Sequence, residues 1–286
     1  MASWSDGYWQ SSDGLRLHYR DYQGSATRPP ILCIPGLTRN ARDFDGVAER
    51  LAGDWRVICV ELRGRGDSAH AKDPMTYMPL TYMADMEALI AALGLTRFVL
   101  FGTSLGGLIA MLLATSGGGR IAGALLNDIG PAIDARGLER IRSYVGRSHS
   151  WPTWLHAARF FADAQRDLYP DWKLDQWLIF AKRLCKLTPS GRIVFDYDMR
   201  IAEPFKQPGG DTGFDLWPAF RALAGVPSLV VRGGLSDLLS DETVAAMKAE
   251  NPLLESVTIP GVGHAPTLDE PEAVEAIEQL LARVES

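Results

Sequence analysis

Three residue types in one chain can make a nucleophile out of a hydroxyl: a serine, an imidazole to take its proton, and a carboxylate to hold the imidazole. The serine is found in Phe101-Gly102-Thr103-Ser104-Leu105-Gly106-Gly107, where an apolar strand-like run meets an apolar helix-like run. This is G-x-S-x-G in a strand–turn–helix setting. The spacing has a steric reason: a serine on so sharp a turn needs neighbours without side chains on both sides. Its hydroxyl then stands clear of the sheet, and the helix N-terminus stabilises negative charge developing there.

Five histidines are available as base: His18, His70, His149, His156 and His264. His264 lies in Pro260-Gly261-Val262-Gly263-His264-Ala265-Pro266, a loop just after the strand pattern at 257–259, where α/β active sites gather. His18 fits an outward-facing strand position, and the other three carry no motif. His264 is therefore taken as the base. The acid is expected between serine and histidine in chain order. The buried run 229–231 is followed by Arg232-Gly233-Gly234-Leu235-Ser236-Asp237, and Asp237 is ranked first for its place ahead of His264. Asp128, at the end of another strand pattern, ranks second. Asp241 is a weaker rival and reads as a helix N-cap. An acyl-transfer serine also needs oxyanion donors. The N–H of Leu105 follows the nucleophile directly. The loop Pro35-Gly36-Leu37-Thr38-Arg39-Asn40 supplies the second through Leu37 N–H, with Gly36 permitting the bend.

The elements that must position these groups are legible in the hydrophobic pattern. Leu15, Leu17 and Tyr19 alternate with polar residues after the turn pair Asp13-Gly14, as in a half-buried hairpin strand. The runs 31–34, 57–60, 98–101 and 229–231 are apolar at consecutive positions, and 121–126 resembles them. Strands apolar on both faces predict a parallel sheet covered on both sides. Met83, Met86, Leu89, Ile90 and Leu93 recur at helix spacing before Gly94, and 241–251 and 271–284 also read as helices. Strand alternating with helix predicts a doubly wound α/β fold. The rhythm breaks between 131 and 215, where half of the eight tryptophans fall. That stretch reads as an inserted, mainly helical cap with a Gly/Pro-rich exit at 207–213. The core is then 1–130 and 216–286.

Composition narrows the chemistry. Hydrophobic residues at 47% and charged residues at 22% describe an ordinary globular chain, large enough at 286 residues to bury its core without staples. A net charge of −6 opposes non-specific attraction to nucleic acid. Cys33, Cys59 and Cys185 have no paired spacing and read as reduced thiols of a cytoplasmic protein. The N-terminus has no signal-peptide pattern and no apolar run is long enough for a membrane span. No metal-ligand spacing, G-x-G-x-x-G or P-loop is present, so no metal and no organic cofactor is expected.

With these motifs in order, the chain resembles the α/β-hydrolase fold-1 family over essentially its whole length. The landmarks are Pro35-Gly36, Arg63-Gly64-Arg65-Gly66-Asp67-Ser68, the Ser104 turn, Asp237 and Gly263-His264. Two departures stand out: Glu61 replaces an aspartate two residues before Arg63, and Pro35 replaces the histidine of the oxyanion loop. The resemblance implies a carboxylesterase, a lactonase such as 3-oxoadipate enol-lactonase, or a meta-cleavage-product hydrolase acting on a C–C bond. Ser104 sets the chain apart from the haloalkane dehalogenases and epoxide hydrolases, which use aspartate at that turn. The reading is a serine hydrolase that cleaves an ester or lactone of a small, partly apolar substrate. A C–C hydrolase of β-diketones and a non-catalytic ligand binder are the alternatives. Trp154 and Trp177 in the cap, with Trp151, Phe160 and Phe161, are expected to shape the pocket. Arg39 is the candidate for a substrate carboxylate. The oligomeric state is left open.

Overall fold

The computed structural model describes residues 3–206 and 215–285. Eight strands make one sheet: β1 (Trp4–Gln10), β2 (Arg16–Tyr22), β3 (Ile31–Ile34), β4 (Val57–Glu61), β5 (Phe98–Thr103), β6 (Ile121–Asn127), β10 (Ser228–Gly233) and β11 (Leu254–Ile259). Their spatial order is β1-β2-β4-β3-β5-β6-β10-β11. The β1–β2 and β2–β4 pairs are antiparallel, and every other pair is parallel. The fold is α/β with a mostly parallel, doubly wound sheet.

Why both faces are covered follows from the strands themselves. Every residue of β3, β4, β6 and β10 is buried. Alternate side chains serve opposite layers, as a period of two requires. Leu32, Ile34, Ile58 and Val60 join one core, packed by α2 (Pro79–Ala92) and α3 (Leu105–Thr115). Ile31, Cys33, Val57 and Cys59 join the other, packed by α1 (Asp45–Leu51) and α9 (Pro271–Glu285). α3 is apolar nearly all round and is a core helix. α9 is amphipathic, burying Ala273, Ala276, Ile277, Leu280, Leu281 and Val284 at helix spacing. Gly94, at φ +62°, closes α2. Cys33, Cys59 and Cys185 are free, buried thiols. No helix among the described residues is long and apolar enough to cross a membrane.

Between β6 and β10 the chain leaves the sheet. It builds α4 (Ala135–Tyr144), β7 (Ser150–Trp151), α5 (Trp154–Gln165), α6 (Leu174–Leu184), β8 (Cys185–Leu187) and β9 (Ile193–Phe195) before returning through α7 (Trp217–Arg221) and, past β10, α8 (Asp241–Glu250). The strands β7, β9 and β8 form a small sheet that the helical reading missed, because each is only two or three residues long. The exit at 207–213 lies outside the described residues.

Two local expectations are corrected. His18 does not face outward. It is buried, with Nδ1 on Glu61 (2.9 Å) and Nε2 on Asp6 (3.0 Å), because β1 and the loop after β4 cover that face of β2. Ser240, not Asp241, is the N-cap of α8, accepting from Thr243 N–H at 3.1 Å.

Candidate active site

Ser104 stands between β5 and α3 at φ +52°, ψ −116°. The two flanking glycines are required by contact. A Cβ on Gly102 would press on the backbone of Gly106 and Gly107, and one on Gly106 would collide with the Ile34 carbonyl. The turn is therefore packed against β3, which brings the loop after β3 over the nucleophile. A Cβ on Gly36 would sit 3.6 Å from Ser104 Cβ.

The Ser104 hydroxyl donates to His264 Nε2 at 2.9 Å, and His264 Nδ1 lies 2.8 Å from Asp128 Oδ2. This pairing assigns the neutral imidazole with its proton on Nδ1, which leaves Nε2 free to accept. Asp128 is fully buried. Its Oδ1 accepts from Gly233 N–H (2.8 Å), and its Oδ2 also accepts from the Ser236 hydroxyl (2.7 Å). With His264, its two oxygens meet three hydrogen-bonding groups.

Asp237, ranked first from the sequence, is not on the histidine. The reason lies in the register of the sheet. β6 pairs in parallel with β10, and the Asp128 N–H donates to the Val231 carbonyl at 2.7 Å. The end of β6 is thus beside the end of β10 and within reach of the loop after β11. Ser236 occupies the inward position of the loop after β10. Asp237 turns toward α4 and accepts a two-pronged bond from Arg140, at 2.5 and 2.8 Å. Burial alone would push the Asp237 carboxyl up, but the Arg140 guanidinium outweighs it and holds the group below the usual carboxylate range.

Other groups hold the histidine loop. Asn127, buried at the end of β6, donates to Thr103 Oγ1 (3.1 Å) and to the Pro266 carbonyl (2.9 Å). It ties the serine turn to the loop of His264. The Tyr169 hydroxyl donates to the Ala265 carbonyl at 3.0 Å, and burial drives its phenol pKa upward, which keeps it a donor. Neither Leu37 N–H nor Leu105 N–H is engaged by another group among the described residues. Both stand at the loops that flank Ser104.

A cavity of about 430 Å³ opens above these residues, between the ends of β3, β5 and β6 and the helices α4, α5 and α6. Phe160, Phe161, Phe180, Phe195 and Tyr197 supply apolar wall. Trp154 and Trp177 do not line it. Trp177 packs edge-on against Tyr169, Trp172 and Phe180, and Trp154 is partly buried against the hydrophobic core that holds Trp177. Trp151 stands behind Phe160, 5.1 Å between ring centroids. Four arginines, Arg39, Arg140, Arg147 and Arg183, line the cavity against one carboxylate, Asp43, among the described residues. Arg39 gives Nε to Asp43 at 2.6 Å and lies 4.6 Å over the Phe180 ring. Burial opposes its charge, yet Asp43 keeps its pKa above the ordinary value. Away from the cavity, His18, Glu61 and Asp67 bring three possible ligand atoms within 4.8 Å of one another, but His18 and Glu61 already bond each other.

A sequence model of the alpha/beta hydrolase family matches residues 31–277. The chain is 36% identical to a 3-hydroxybutyrate-oligomer hydrolase of Cupriavidus necator, covering 91% of this chain and 90% of that one. It is 25% identical to an N-formylmaleamate deformylase of Pseudomonas putida, covering 92% and 91%. Among solved structures it superposes on an alpha/beta hydrolase of Novosphingobium aromaticivorans with a TM-score of 0.95, 60% identity and 99% of each chain covered. In fold, in matched family and in relatives, the chain belongs to the alpha/beta hydrolases.

Proposed function

We propose that this chain is a serine hydrolase that cleaves a carboxylic ester or lactone of a small, partly apolar, acidic substrate through an acyl-enzyme. One observation carries the reading: the hydrogen-bonded line Ser104–His264–Asp128 at the floor of a cavity of about 430 Å³. His264 takes the Ser104 proton as Oγ attacks the acyl carbonyl. Asp128 keeps the imidazole in the accepting tautomer and stabilises the imidazolium. The N–H groups of Leu37 and Leu105 receive the oxyanion, each worth about 3 kcal/mol. His264 then protonates the leaving alcohol, and water repeats the sequence to release the acid.

Residues 131–215 act as the cap of this site, with α4, α5 and α6 forming its roof. An acidic substrate is supported by the arginines of the cavity wall, although Arg140 and Arg183 are paired with Asp237 and Asp269 and Arg39 gives its Nε to Asp43. Arg39 offers its two terminal nitrogens, and a guanidinium binds a carboxylate in two-pronged fashion. The 3-hydroxybutyrate-oligomer hydrolase relative supports the same class, since oligomers of a hydroxy acid are joined by esters and end in a carboxylate. The three buried free thiols support a cytoplasmic location.

The test is a fluorophosphonate label followed by peptide mapping, run beside a panel of p-nitrophenyl esters, lactones and a meta-cleavage dienoate. Ser104 should carry the label and esters should turn over, with half-esters of dicarboxylic acids preferred to their methylated counterparts. Labelling of another residue, or turnover of the dienoate alone, contradicts the reading.

A further inference from the structure

Arg63 and Arg65, two residues apart after β4, are both buried but differ in their partners. Arg63 is neutralised by two carboxylates, Asp85 and Asp13. Arg65 has no carboxylate within ion-pair distance among the described residues. It is fully buried, and its partners are oxygens without charge. Nε donates to the Leu37 carbonyl at 2.9 Å, and Nη1 donates to the Arg63 carbonyl (2.6 Å) and the Tyr82 hydroxyl (2.9 Å). Nη2 has no hydrogen-bond partner. The guanidinium lies 5.0 Å from the Tyr82 ring centroid and 5.5 Å from that of Tyr77.

Burying a cation without a counter-charge is costly, and breaking or leaving out one partner is costlier still. Such a group is placed for what it holds. Here it holds the loop that presents Leu37. That loop begins with Gly36, whose backbone torsions are soft, and closes with a single turn bond from Arg39 N–H to the Gly36 carbonyl at 3.1 Å. A charge-assisted bond to the next carbonyl stiffens it from outside. The backbone of Arg65 is itself fixed, with its N–H on the Leu62 carbonyl (3.0 Å) and a bridge to Tyr197 in the cap.

Resting on the acyl-transfer reading above, we propose that Arg65 is a positioning residue for the oxyanion site: its buried guanidinium grips the Leu37 carbonyl and so aims the Leu37 N–H at the reacting carbonyl. The charge also stays uncompensated beside the loop where the oxyanion forms. Arg65 touches neither substrate nor Ser104; it acts by holding the Leu37–Thr38 peptide, the neighbour of the Gly36–Leu37 peptide that carries the N–H.

The test compares Arg65→Met, Arg65→Lys and Arg65→Gln with Tyr82→Phe, using a p-nitrophenyl ester and a trifluoromethyl ketone that forms an oxyanion on Ser104. Arg65→Met should lower kcat at least about tenfold, a part of what loss of a whole oxyanion donor costs. KM should stay within about twofold, since the interaction operates in the transition state. Affinity for the ketone should fall by the same factor as kcat, while affinity for the acid product holds. Arg65→Lys should recover more activity than Arg65→Gln. Tyr82→Phe, which leaves the bond to Leu37 in place, should keep kcat while lowering the melting temperature. Wild-type kcat in a folded Arg65→Met protein, or equal losses in Arg65→Met and Tyr82→Phe, overturns the proposal. Should the methionine variant not fold, wild-type kcat in both the lysine and glutamine variants overturns it instead. Absence of any fluorophosphonate label on wild-type Ser104 refutes the hydrolase reading itself, a separate failure.

Discussion

Replacing Asp128 and Asp237 by asparagine, one at a time, separates two carboxylates that both lie before His264 in the chain. Asp128 accepts from His264 Nδ1, Gly233 N–H and the Ser236 hydroxyl. An asparagine there satisfies the fixed Gly233 N–H by placing its oxygen where Oδ1 stood, which puts its NH₂ where Oδ2 stood, toward the rotatable Ser236 hydroxyl and His264. The imidazole must then carry its proton on Nε2 and can no longer accept from Ser104. Loss of the accepting tautomer lowers kcat by about 10³–10⁴, or about 4–5.5 kcal/mol of barrier. The Asp237 carboxylate pairs with Arg140, and the two side chains are about a quarter exposed. Such a pair contributes about 0–1 kcal/mol to stability, and kcat of Asp237→Asn should stay within about threefold of wild type. The assay is steady-state hydrolysis of a p-nitrophenyl ester, normalised by active-site titration, with thermal melts of each variant. Near-wild-type kcat in Asp128→Asn together with a thousandfold loss in Asp237→Asn would falsify this assignment.

Arg39→Gln should raise KM for a half-ester of a dicarboxylic acid about tenfold or more and leave its methylated counterpart nearly unchanged, as loss of one charged contact of about 1.5–3 kcal/mol implies; equal effects on both substrates would remove Arg39 from substrate binding. Phe160→Ala, which enlarges the cavity wall, should shift the ratio of kcat/KM between long and short esters. Trp177→Ala should leave that ratio alone and lower stability by about 3–5 kcal/mol, as truncation of a ring in the cap's own core requires; a changed ratio in a folded Trp177→Ala protein would contradict the lining described above. For His18, burial would pull the imidazolium down, but the hydrogen bond and charge of Glu61, with help from Asp6, outweigh it and raise the pKa above the ordinary histidine value. The stabilisation is therefore full below about pH 6.5 and fades as pH rises through the folded-state value. The melting-temperature gap between wild type and His18→Gln should shrink from mildly acidic to alkaline pH, and a gap that widens would reverse the sign.

The parallel sheet was legible because β3, β4, β5 and β6 are short runs of mostly consecutive apolar residues, the pattern a doubly covered sheet produces. Ser104 was legible because sterics demand glycine on both sides of it. His264 was legible from its place after the last strand. The carboxylate that bonds His264 was not, since chain order admits Asp128 and Asp237 alike. What decides between them is the pairing of β6 with β10, which places strand ends side by side and is a property of the folded sheet. The sequence does hold one local sign: Asp128 ends an apolar run as Ser104 does, and both take positive φ, +54° and +52°. Arg140 and Tyr169 escaped notice for a related reason. They lie in the stretch between β6 and β10, where no periodic pattern ties a residue to the sheet, and their partners lie about a hundred residues away. The tryptophans misled because large rings serve a small core as readily as a pocket wall. His18 misled because alternation in β2 marks one face as polar, whereas Glu61 and Asp6 make that face a buried polar cluster.

The central claim is that Ser104, activated by His264, forms a covalent acyl intermediate. Rapid quenching of the enzyme during turnover of a p-nitrophenyl ester, followed by intact-mass measurement and peptide mapping, tests it most directly. The account predicts a mass gain equal to one acyl group, located on the peptide containing Ser104 and absent in Ser104→Ala, which should also lose nearly all turnover. Continued turnover by Ser104→Ala, or an acyl group mapped to any other residue, would contradict it.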